Sequence, residues 1–319
     1  MALSLFRRYP MEIILVCMYT YLMFAAPGFA TLDNQMNVLR NITMQGIIAF
    51  GMTMVIVSGE IDLSVGSGVA FSGCVTAWVA RALTDLLGPW PAITIGAITA
   101  MVILFLVGVL TGKVRQHFNM PTFITTLGLL TVLSGAANLI TDGFPITSFP
   151  FQFNFLGAGI LFGIPFPVYI FAAVFGFVYF LMNYTSFGRA LYAVGGNLEA
   201  ARLSGIDVWK TKTLALGITG VLTAMAGVLI ASQILSGSAS AARGWELDVI
   251  SAVIIGGTSL FGGKGTVRGT LIGVLFLGII VNGMTLLNVS EYWQLVVRGG
   301  LIIGAVLLNH ALDRSAVKH

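Results

Sequence analysis

The sequence predicts an all-α, polytopic integral membrane protein with about ten transmembrane helices, formed by residues 1–319 as a single transmembrane domain. Apolar residues make up 57% of the 319 residues and charged residues only 9%, whereas a soluble domain carries about a quarter charged residues. The apolar residues also fall in runs close to the roughly 20 residues that cross a bilayer as a helix. So few charges cannot provide a water-facing surface, which excludes an ordinary soluble domain.

Ten apolar runs are each long enough, or nearly so, for a membrane span. The eighth run is short, or broken, before Gly256 and Gly257, and discontinuous helices of this kind are common in transporters. The predicted spans are Met11–Ala26, Ile42–Val57, Val65–Leu83, Ala92–Gly112, Thr122–Thr141, Phe166–Asn183, Thr213–Leu235, Leu247–Gly256, Gly269–Leu287 and Tyr292–Asn309.

Basic residues predict that both termini lie in the cytoplasm, since cytoplasmic loops carry an excess of Lys and Arg. With ten spans and this orientation, Arg298 lies within the last span and only three basic residues lie outside, namely Arg40, Arg81 and Arg243. The basic residues expected inside are Arg7, Arg8, Lys113, Arg115, Arg189, Arg202, Lys210, Lys212, Lys264, Arg268, Arg314 and Lys318. The basic residues behind the net charge of +4 are thus spread singly through loops. This distribution is typical of residues that set membrane topology, and it argues against a nucleic-acid partner.

Two connections are longer than the others. Residues 142–165 contain three prolines and six phenylalanines, of which Phe149, Phe151, Phe153 and Phe155 alternate with other residues. We expect this external segment to lie against the membrane surface or to pack on the helices. Residues 184–212 form the longest polar stretch and are expected in the cytoplasm. Within it, Asn197 can cap a helix, Glu199 suits the first turn of that helix, and Gly205 ends it. Such a short helix could transmit force from a docked partner or could lie at the interface without one.

Neither catalysis nor nucleotide binding is expected of this chain. Its three histidines are far apart in sequence, and neither H-E-x-x-H nor G-x-S-x-G occurs. The nearest approach to a phosphate-binding G-x-x-x-x-G-K-[ST] loop runs from Thr258 to Gly265. It has Thr258 where the loop requires Gly, and Gly265 where it requires Ser or Thr. We therefore expect no catalytic residue, metal site or cofactor. Cys17 and Cys74 lie in apolar runs and are expected to be buried and inert.

Three pairs of glycines four residues apart lie in or beside apolar spans: Gly108 with Gly112, Gly269 with Gly273, and Gly300 with Gly304. Such pairs let helices approach closely in lipid. Packing within the chain is the favoured interpretation, and a contact with a second copy is the alternative.

Several polar residues beside or within the spans are candidates for translocation or gating. Ionisable groups at such places are costly and often functional, which singles out Glu60 and Asp62. Asp62 is expected rather to cap the third helix, with Ser64 assisting, and Glu60 could couple a proton. Buried amides could contact a hydroxylated substrate or could simply bond between helices; the candidates are Asn138, Asn282 and Asn288.

Three motifs together resemble the monosaccharide permeases of ATP-binding-cassette (ABC) importers, with the ribose-transporting branch most similar. The first runs from Gly51 to Ser67 and includes Glu60-Ile-Asp-Leu-Ser-Val-Gly-Ser. The second is Gly188-Arg-Ala-Leu-Tyr-Ala-Val-Gly-Gly-Asn-Leu-Glu-Ala-Ala-Arg-Leu-Ser-Gly-Ile206. The third joins Glu246-Leu-Asp248 to Gly256-Gly-Thr-Ser-Leu-Phe-Gly-Gly-Lys-Gly265 and Gly269-Thr-Leu-Ile-Gly273. The chain departs from the family at Glu60, where a small residue is usual.

This resemblance implies an assembly in the bacterial inner membrane. Two permease copies would form the pore among membrane lipids, a cytoplasmic double-headed ATPase would bind ATP and Mg²⁺ below it, and a periplasmic sugar-binding protein would deliver substrate from above. The segment 184–212 would then contain the helix that couples to the ATPase. The residues to which this role is carried are Gly188, Arg189, Asn197, Glu199, Ala200, Ala201, Arg202 and Gly205.

A different class of transporter stays open at this point. The chain could act alone as an ion-coupled secondary transporter, with Glu60 and Asp62 as the proton or cation site. A passive membrane scaffold fits poorly with 39 glycines and with broken helices.

Overall fold

The computed structural model describes residues 10–317, and it describes the side chains of all of these except 10, 305, 306 and 308–317. The described part is a bundle of α-helices joined by short connections. The longer helices, of at least 11 residues, are α1 (Pro10–Ala25), α2 (Leu32–Val57), α3 (Val65–Leu87), α4 (Pro89–Phe118), α5 (Thr122–Thr141), α7 (Phe166–Tyr184), α8 (Ser186–Gly196), α10 (Val208–Ile234), α11 (Trp245–Ile255), α12 (Val267–Leu286) and α13 (Glu291–Val317).

Three kinds of shorter element complete the described fold. A 3₁₀ turn at Phe151–Phe153 leads into α6 (Asn154–Ala158), and α9 (Leu198–Leu203) follows α8. Strands β1 (Ile160–Leu161) and β2 (Ile164–Pro165) form a two-residue antiparallel ladder in which Ile160 pairs with Pro165. The all-α prediction is confirmed over the described residues.

Each predicted span falls on one helix, but several helices begin earlier than their apolar run. Helix α2 begins ten residues before Ile42, because the Thr31 hydroxyl caps it by accepting from the backbone N–H of Asn34. Helix α4 begins at Pro89, whose fixed φ suits the first helical position. Asp207 caps α10 by accepting from the backbone N–H of Lys210 at 2.9 Å. Polar first turns are held by caps, which an apolar window cannot detect.

Six described helices are long and apolar enough to cross a membrane by length and composition. These are α2, α4, α5, α7, α10 and α12. Helix α1 has only 16 residues and α11 only 11, so the short eighth run is confirmed as a short helix.

Helix α2 forms the centre of the bundle. Its second half, from Ile47 to Val57, has almost no exposed surface, and it packs against α7, α10, α11 and α12. A helix that is apolar all round and covered on every side is a core helix rather than a lipid-facing one. Any displacement of α2 must therefore move its neighbours.

Glycines allow close approach of helix backbones in the described bundle. A Cβ at Gly108 would lie 2.4 Å from the carbonyl oxygen of Leu216 in α10, and a Cβ at Gly273 would lie 1.9 Å from that of Ala252 in α11. The predicted packing within the chain is confirmed for these two pairs. It is wrong for Gly300 and Gly304, around whose Cβ positions no described atom lies within 4 Å.

The connection at residues 142–165 packs on the helices. Phe153 is fully buried and Phe149 is nearly fully buried, and the centroids of their rings lie 4.5 Å apart. Phe151, in contrast, is 79% exposed. Ser232 of α10 donates to the carbonyl of Phe153, and Asn154 donates to the carbonyls of Ser232 and Gln233. Side-chain bonds to α10 thus hold the segment in place.

Only one of the two cysteines is buried. Cys74 lies inside the bundle, whereas Cys17 is exposed on α1, so the expectation of a buried thiol is wrong there. An apolar run predicts a helix but does not tell which of its faces is covered by protein.

The contact between α11 and α12 can be tested by comparing the melting temperatures of two glycine variants. Gly273→Ala should lower the melting temperature of the detergent-purified protein, because overpacking of a tight contact costs roughly 1–3 kcal/mol. Gly176→Ala should leave it unchanged or raise it, since no described atom lies within 4 Å of that Cβ position and Ala is a better helix former. Equal melting temperatures for the two variants would contradict the assigned contact.

Candidate functional site

Helices α8 and α9 are a pair of short helices between α7 and α10, and they pack on both. The Thr185 hydroxyl caps α8 by accepting from the N–H of Gly188 at 3.2 Å, and the Asn197 side chain caps α9 by accepting from the N–H of Ala200 at 2.9 Å. Gly205 ends the pair in the left-handed region, with φ of 80°. The short capped helix predicted at Asn197–Gly205 is confirmed.

The outer face of this pair is polar and exposed. Glu199 and Arg202 form an ion pair of 3.4 Å on the surface. Six of the eight residues predicted to contact a partner are exposed, and the other two, Gly188 and Ala201, are buried. Sequence reasoning missed Leu203, which is 88% exposed at the end of α9. A single exposed apolar side chain is common on protein surfaces, so Leu203 extends the exposed surface of the pair but does not by itself indicate a partner.

The inner end of α8 contacts the bundle core through backbone atoms. A Cβ at Gly195 would lie 1.8 Å from the carbonyl oxygen of Val57, the last residue of α2. The same carbonyl accepts a hydrogen bond of 2.8 Å from the N–H of Gly263, which satisfies one of the acceptors left free at a helix end. Tyr192 donates to the carbonyl of Gly265 at 2.9 Å. We call this contact of α8, the end of α2 and residues 257–266 the glycine junction.

A buried cluster of charges lies next to the glycine junction. Oε1 of Glu60 lies 2.6 Å from Nζ of Lys212 and 2.6 Å from a terminal nitrogen of Arg115, while Thr122 donates to Oε2. The side chains of Glu60 and Lys212 are 4% and 5% exposed. The guanidinium of Arg115 also lies over the ring of Trp209, 4.9 Å from its centroid. Glu60 therefore joins the α2–α3 connection to α4, α5 and α10.

The structure corrects the sequence interpretation of this cluster. Lys212 and Arg115 were counted as loop charges, but they lie within α10 and α4, and Lys212 is buried. Long basic side chains reached a carboxylate that is distant in sequence, and no local motif indicated the pairing. Glu60 has three polar partners, so both of its oxygens are engaged.

Asp62 does not cap the third helix directly. The cap residue of α3 is Ser64, and Asp62 accepts from the backbone N–H and the hydroxyl of Ser64 at 2.8 and 2.6 Å. Burial raises the pKa of Asp62 above its ordinary value, and the bonds from Ser64 oppose that rise. The helix begins two residues later than the cap prediction required, and Asp62 orients its cap residue.

The three candidate amides differ in their surroundings. Asn138 is exposed and donates only within its own helix, to the carbonyl of Ser134. Asn288 is exposed at the end of α12, with φ of 57°. Asn282 exchanges two hydrogen bonds with Asn34 of α2, of 2.9 and 2.8 Å, as the interhelical interpretation predicts.

Asn282 also borders a cavity of about 350 Å³ between α2, α10, α11, α12 and α13. Asp248 and Arg298 line the same cavity and form a salt bridge of 2.9 Å. Most candidate residues thus fall in three places, the α8–α9 surface, the Glu60 cluster and this cavity. Asp62 lies beside the Glu60 cluster, and Asn138 and Asn288 lie outside all three places, so the structure does not bring the candidates into one site.

Comparison with known proteins shows similarity along almost the whole chain. A family model described as a branched-chain amino acid transport system permease component matches residues 34–306. The probable ABC transporter permease protein YphD of Escherichia coli K12 is 41% identical over 312 residues, covering 96% of this chain and 91% of that protein. No solved structure matches.

Two further relatives carry a sugar in their names. The ribose import permease protein RbsC of Bacillus subtilis is 42% identical over 285 residues, covering 89% of this chain and 86% of that protein. The L-arabinose transport system permease protein AraH of Escherichia coli K12 is 36% identical over 302 residues, covering 95% and 90%.

Neutralising Glu60, the one carboxylate of the Glu60 cluster, should strongly destabilise the protein. Glu60→Gln leaves Arg115 and Lys212 without their buried counter-charge, and removal of one partner from a buried ion pair costs about 3–5 kcal/mol. We expect a large fall in the melting temperature of the purified protein and a lower yield of folded protein.

The double variant Glu60→Gln/Lys212→Met is the control for that variant. It removes one positive charge together with the acid, so it should recover part of the lost stability. A double variant no more stable than Glu60→Gln would show that the unpaired charge of Lys212 is not what destabilises the single variant, which would contradict this explanation.

Proposed function

Because this chain belongs to the family of branched-chain amino acid transport system permease components, we propose that it is the membrane-spanning permease subunit of an ABC importer for a monosaccharide or related polyol. The observation that carries this proposal is similarity to sugar permeases over more than four fifths of the chain and of each relative. The capped and exposed α8–α9 pair supports it, since an importer permease needs a surface outside the bilayer on which an ATPase can dock.

Two features of the relatives bear on the substrate. The family description names branched-chain amino acids, whereas the full-length relatives with a named substrate, quoted above, import ribose or L-arabinose. Identity of 36–42% over nearly complete chains is a narrower likeness than a family model. We therefore assign a sugar rather than an amino acid as substrate.

The proposed orientation has ten crossings with both termini in the cytoplasm of a bacterial inner membrane. The excess of Lys and Arg on one side supports it. It places the α8–α9 pair, the glycine junction and the Glu60 cluster on the cytoplasmic side, and residues 142–165 outside. Arg7, Arg8 and Lys318, on which the count also depends, lie outside the described residues.

The proposed partners are a cytoplasmic double-headed ATPase, a periplasmic sugar-binding protein and a second permease copy. ATP and Mg²⁺ would bind to the ATPase, which docks on Glu199, Arg202 and Leu203. The uncovered Gly300 and Gly304 leave one face of α13 free for lipid or for the second copy. Nucleotide in the ATPase supplies the differential binding energy that a change of access requires.

The glycine junction is the proposed route of that energy into the membrane. Helix α8 contacts the end of α2 through backbone atoms, with no flexible side chain between Gly195 and Val57. A displacement of α9 by the ATPase would therefore be transmitted through α8 to the core helix α2.

An ion-coupled transporter that works alone is the less supported alternative. Its cation site would include Glu60, but that carboxylate already has two cationic partners within 2.6 Å. Asp62 is bonded to Ser64.

Reconstitution tests the proposal. The chain would be co-purified with a double-headed ATPase of the same bacterium and placed in proteoliposomes with the binding protein. We expect uptake of a labelled pentose or hexose that requires ATP and all three components. Ion-driven uptake by the chain alone would support the alternative.

The α8–α9 surface predicts a docking defect. Glu199→Lys reverses the charge of an exposed residue, so the variant should insert and fold normally but retain less ATPase on co-purification. Asp85→Lys, the same reversal at the exposed end of α3 that we place outside, should retain it all. Normal ATPase retention and transport by Glu199→Lys would contradict the docking assignment.

If the glycine junction couples the ATPase to the membrane helices, Gly195→Ala should lower ATP-driven uptake, and Gly196→Ala serves as its control. Gly195→Ala places a Cβ against the carbonyl of Val57, whereas Gly196→Ala meets no described atom within 4 Å. We expect Gly195→Ala to lower ATP-driven uptake at least tenfold and Gly196→Ala to leave it near the unmodified rate. Measured uptake that is equal in the two variants would exclude this route.

A further inference from the structure

The cavity between α2, α10, α11, α12 and α13 has the size and lining of a small-molecule site. Its volume is about 350 Å³, within the range of roughly 300–1,000 Å³ that is usual for ligand pockets. Eight of its sixteen lining residues have polar or charged side chains. They are Asn41, Gln45, Gln233, Trp245, Asp248, Asn282, Thr285 and Arg298.

Helical spacing explains how the sequence gathers this lining. Asn41 and Gln45 are four residues apart in α2, and Trp245 and Asp248 are three apart in α11, so each pair shares one helix face. Gln233 lies one residue before the end of α10, and Thr285 one residue before the end of α12. The cavity lies towards the helix ends that we place outside, and the buried half of α2 lies beyond it.

The ion pair in this cavity keeps unused hydrogen-bonding capacity. One terminal nitrogen of Arg298 donates to both oxygens of Asp248, at 3.1 and 2.9 Å, and Gln45 donates to the same carboxylate at 3.2 Å. A carboxylate accepts about four hydrogen bonds and a guanidinium donates five, so donors and acceptors remain side by side.

Such an arrangement suits hydroxyl groups, because each hydroxyl both donates and accepts. The two charges of the lining cancel, which favours a neutral ligand. A zwitterionic amino acid would have to separate Asp248 from Arg298 to bind both charges, whereas a sugar can bond to the intact pair. The indole of Trp245 offers an apolar face and one N–H donor, which fits the C–H face and the hydroxyl rim of a sugar ring.

We propose that this cavity binds a neutral polyhydroxylated solute on its way through the permease, with the Asp248–Arg298 pair and Gln45 bonding to hydroxyls and Trp245 covering the ring. The assignment rests on the proposed importer function and deepens it. The ion pair in the membrane then has a role beyond joining α11 to α13.

Protection of a cysteine tests the cavity directly. In a chain carrying Cys17→Ser and Cys74→Ala, Gln233→Cys would report on the cavity, and Ser148→Cys, exposed in the external connection, would serve as control. The cysteine in the assembled importer in proteoliposomes would be modified with a small methanethiosulfonate reagent, which forms a mixed disulfide and releases methanesulfinate, in the presence of D-ribose, L-arabinose or leucine. We expect the transported sugar to slow disulfide formation at Gln233→Cys at least threefold. The sugar should not slow the reaction of Ser148→Cys, and leucine should slow neither.

A second pair of variants separates direct contact from an indirect change. Trp245→Phe keeps much of the apolar bulk and removes the N–H and the larger face, so it should raise the KM of sugar uptake at least fivefold and leave the maximal rate little changed. Trp293→Phe, exposed on α13 and outside the cavity lining, should leave both unchanged.

The outcomes distinguish the cavity assignment from the importer function. If the assembly takes up a sugar with ATP but that sugar neither protects Gln233→Cys nor depends on Trp245, the cavity assignment is wrong and the importer function stands. If leucine is transported with ATP and protects Gln233→Cys, both the sugar substrate and the sugar site are wrong.

Discussion

The contact on which the rest of this structure depends is the glycine junction, where Gly195, Val57 and Gly263 meet through backbone atoms. The carbonyl of Val57 ends the most buried helix of the bundle and takes its hydrogen bond from Gly263. Because no side chain separates α8 from this carbonyl, α8 packs directly against the end of the core helix. Glycine is required here by space and not by conformation, since a Cβ at Gly195 would overlap the oxygen.

The junction connects two sites that are otherwise separate. The α8–α9 surface lies at one of its ends, and α2 leads from its other end to Asn41 and Gln45 in the polar cavity. Thr53 of α2 is bonded to Thr270 of α12 at 2.6 Å, so a shift of α2 reaches a second wall of the cavity. The Glu60 cluster fixes the adjoining connection to α4, α5 and α10. Close packing favours a few discrete arrangements over gradual deformation.

Composition and apolar runs were sufficient to predict the helical class, the order of the helices and the short eighth helix. Local capping chemistry was sufficient for α9, because Asn197 and Gly205 act on their own neighbours. Helix starts at Leu32 and Val208 were missed, since polar first turns held by Thr31 and Asp207 lower the local hydropathy. Cys17 was misplaced because burial depends on which neighbours cover a helix face.

Long-range pairs were beyond the sequence for a physical reason. Glu60 meets Lys212 across 152 positions of the chain, and Asp248 meets Arg298 across 50. Side chains this far apart become neighbours only when several helices pack, and many pairings satisfy charge equally well. The polar cavity could therefore not be predicted, although each of its walls follows ordinary helical spacing.

Accumulation by the isolated chain tests the central claim most directly, because the proposed function requires energy to enter from a partner through α8 and α9. Proteoliposomes holding only this protein would be given labelled sugar under a proton or sodium gradient and compared with vesicles that also hold the ATPase, the binding protein and ATP. We expect uphill accumulation in the complete vesicles alone. Uphill accumulation by the isolated chain without ATP would contradict the central claim.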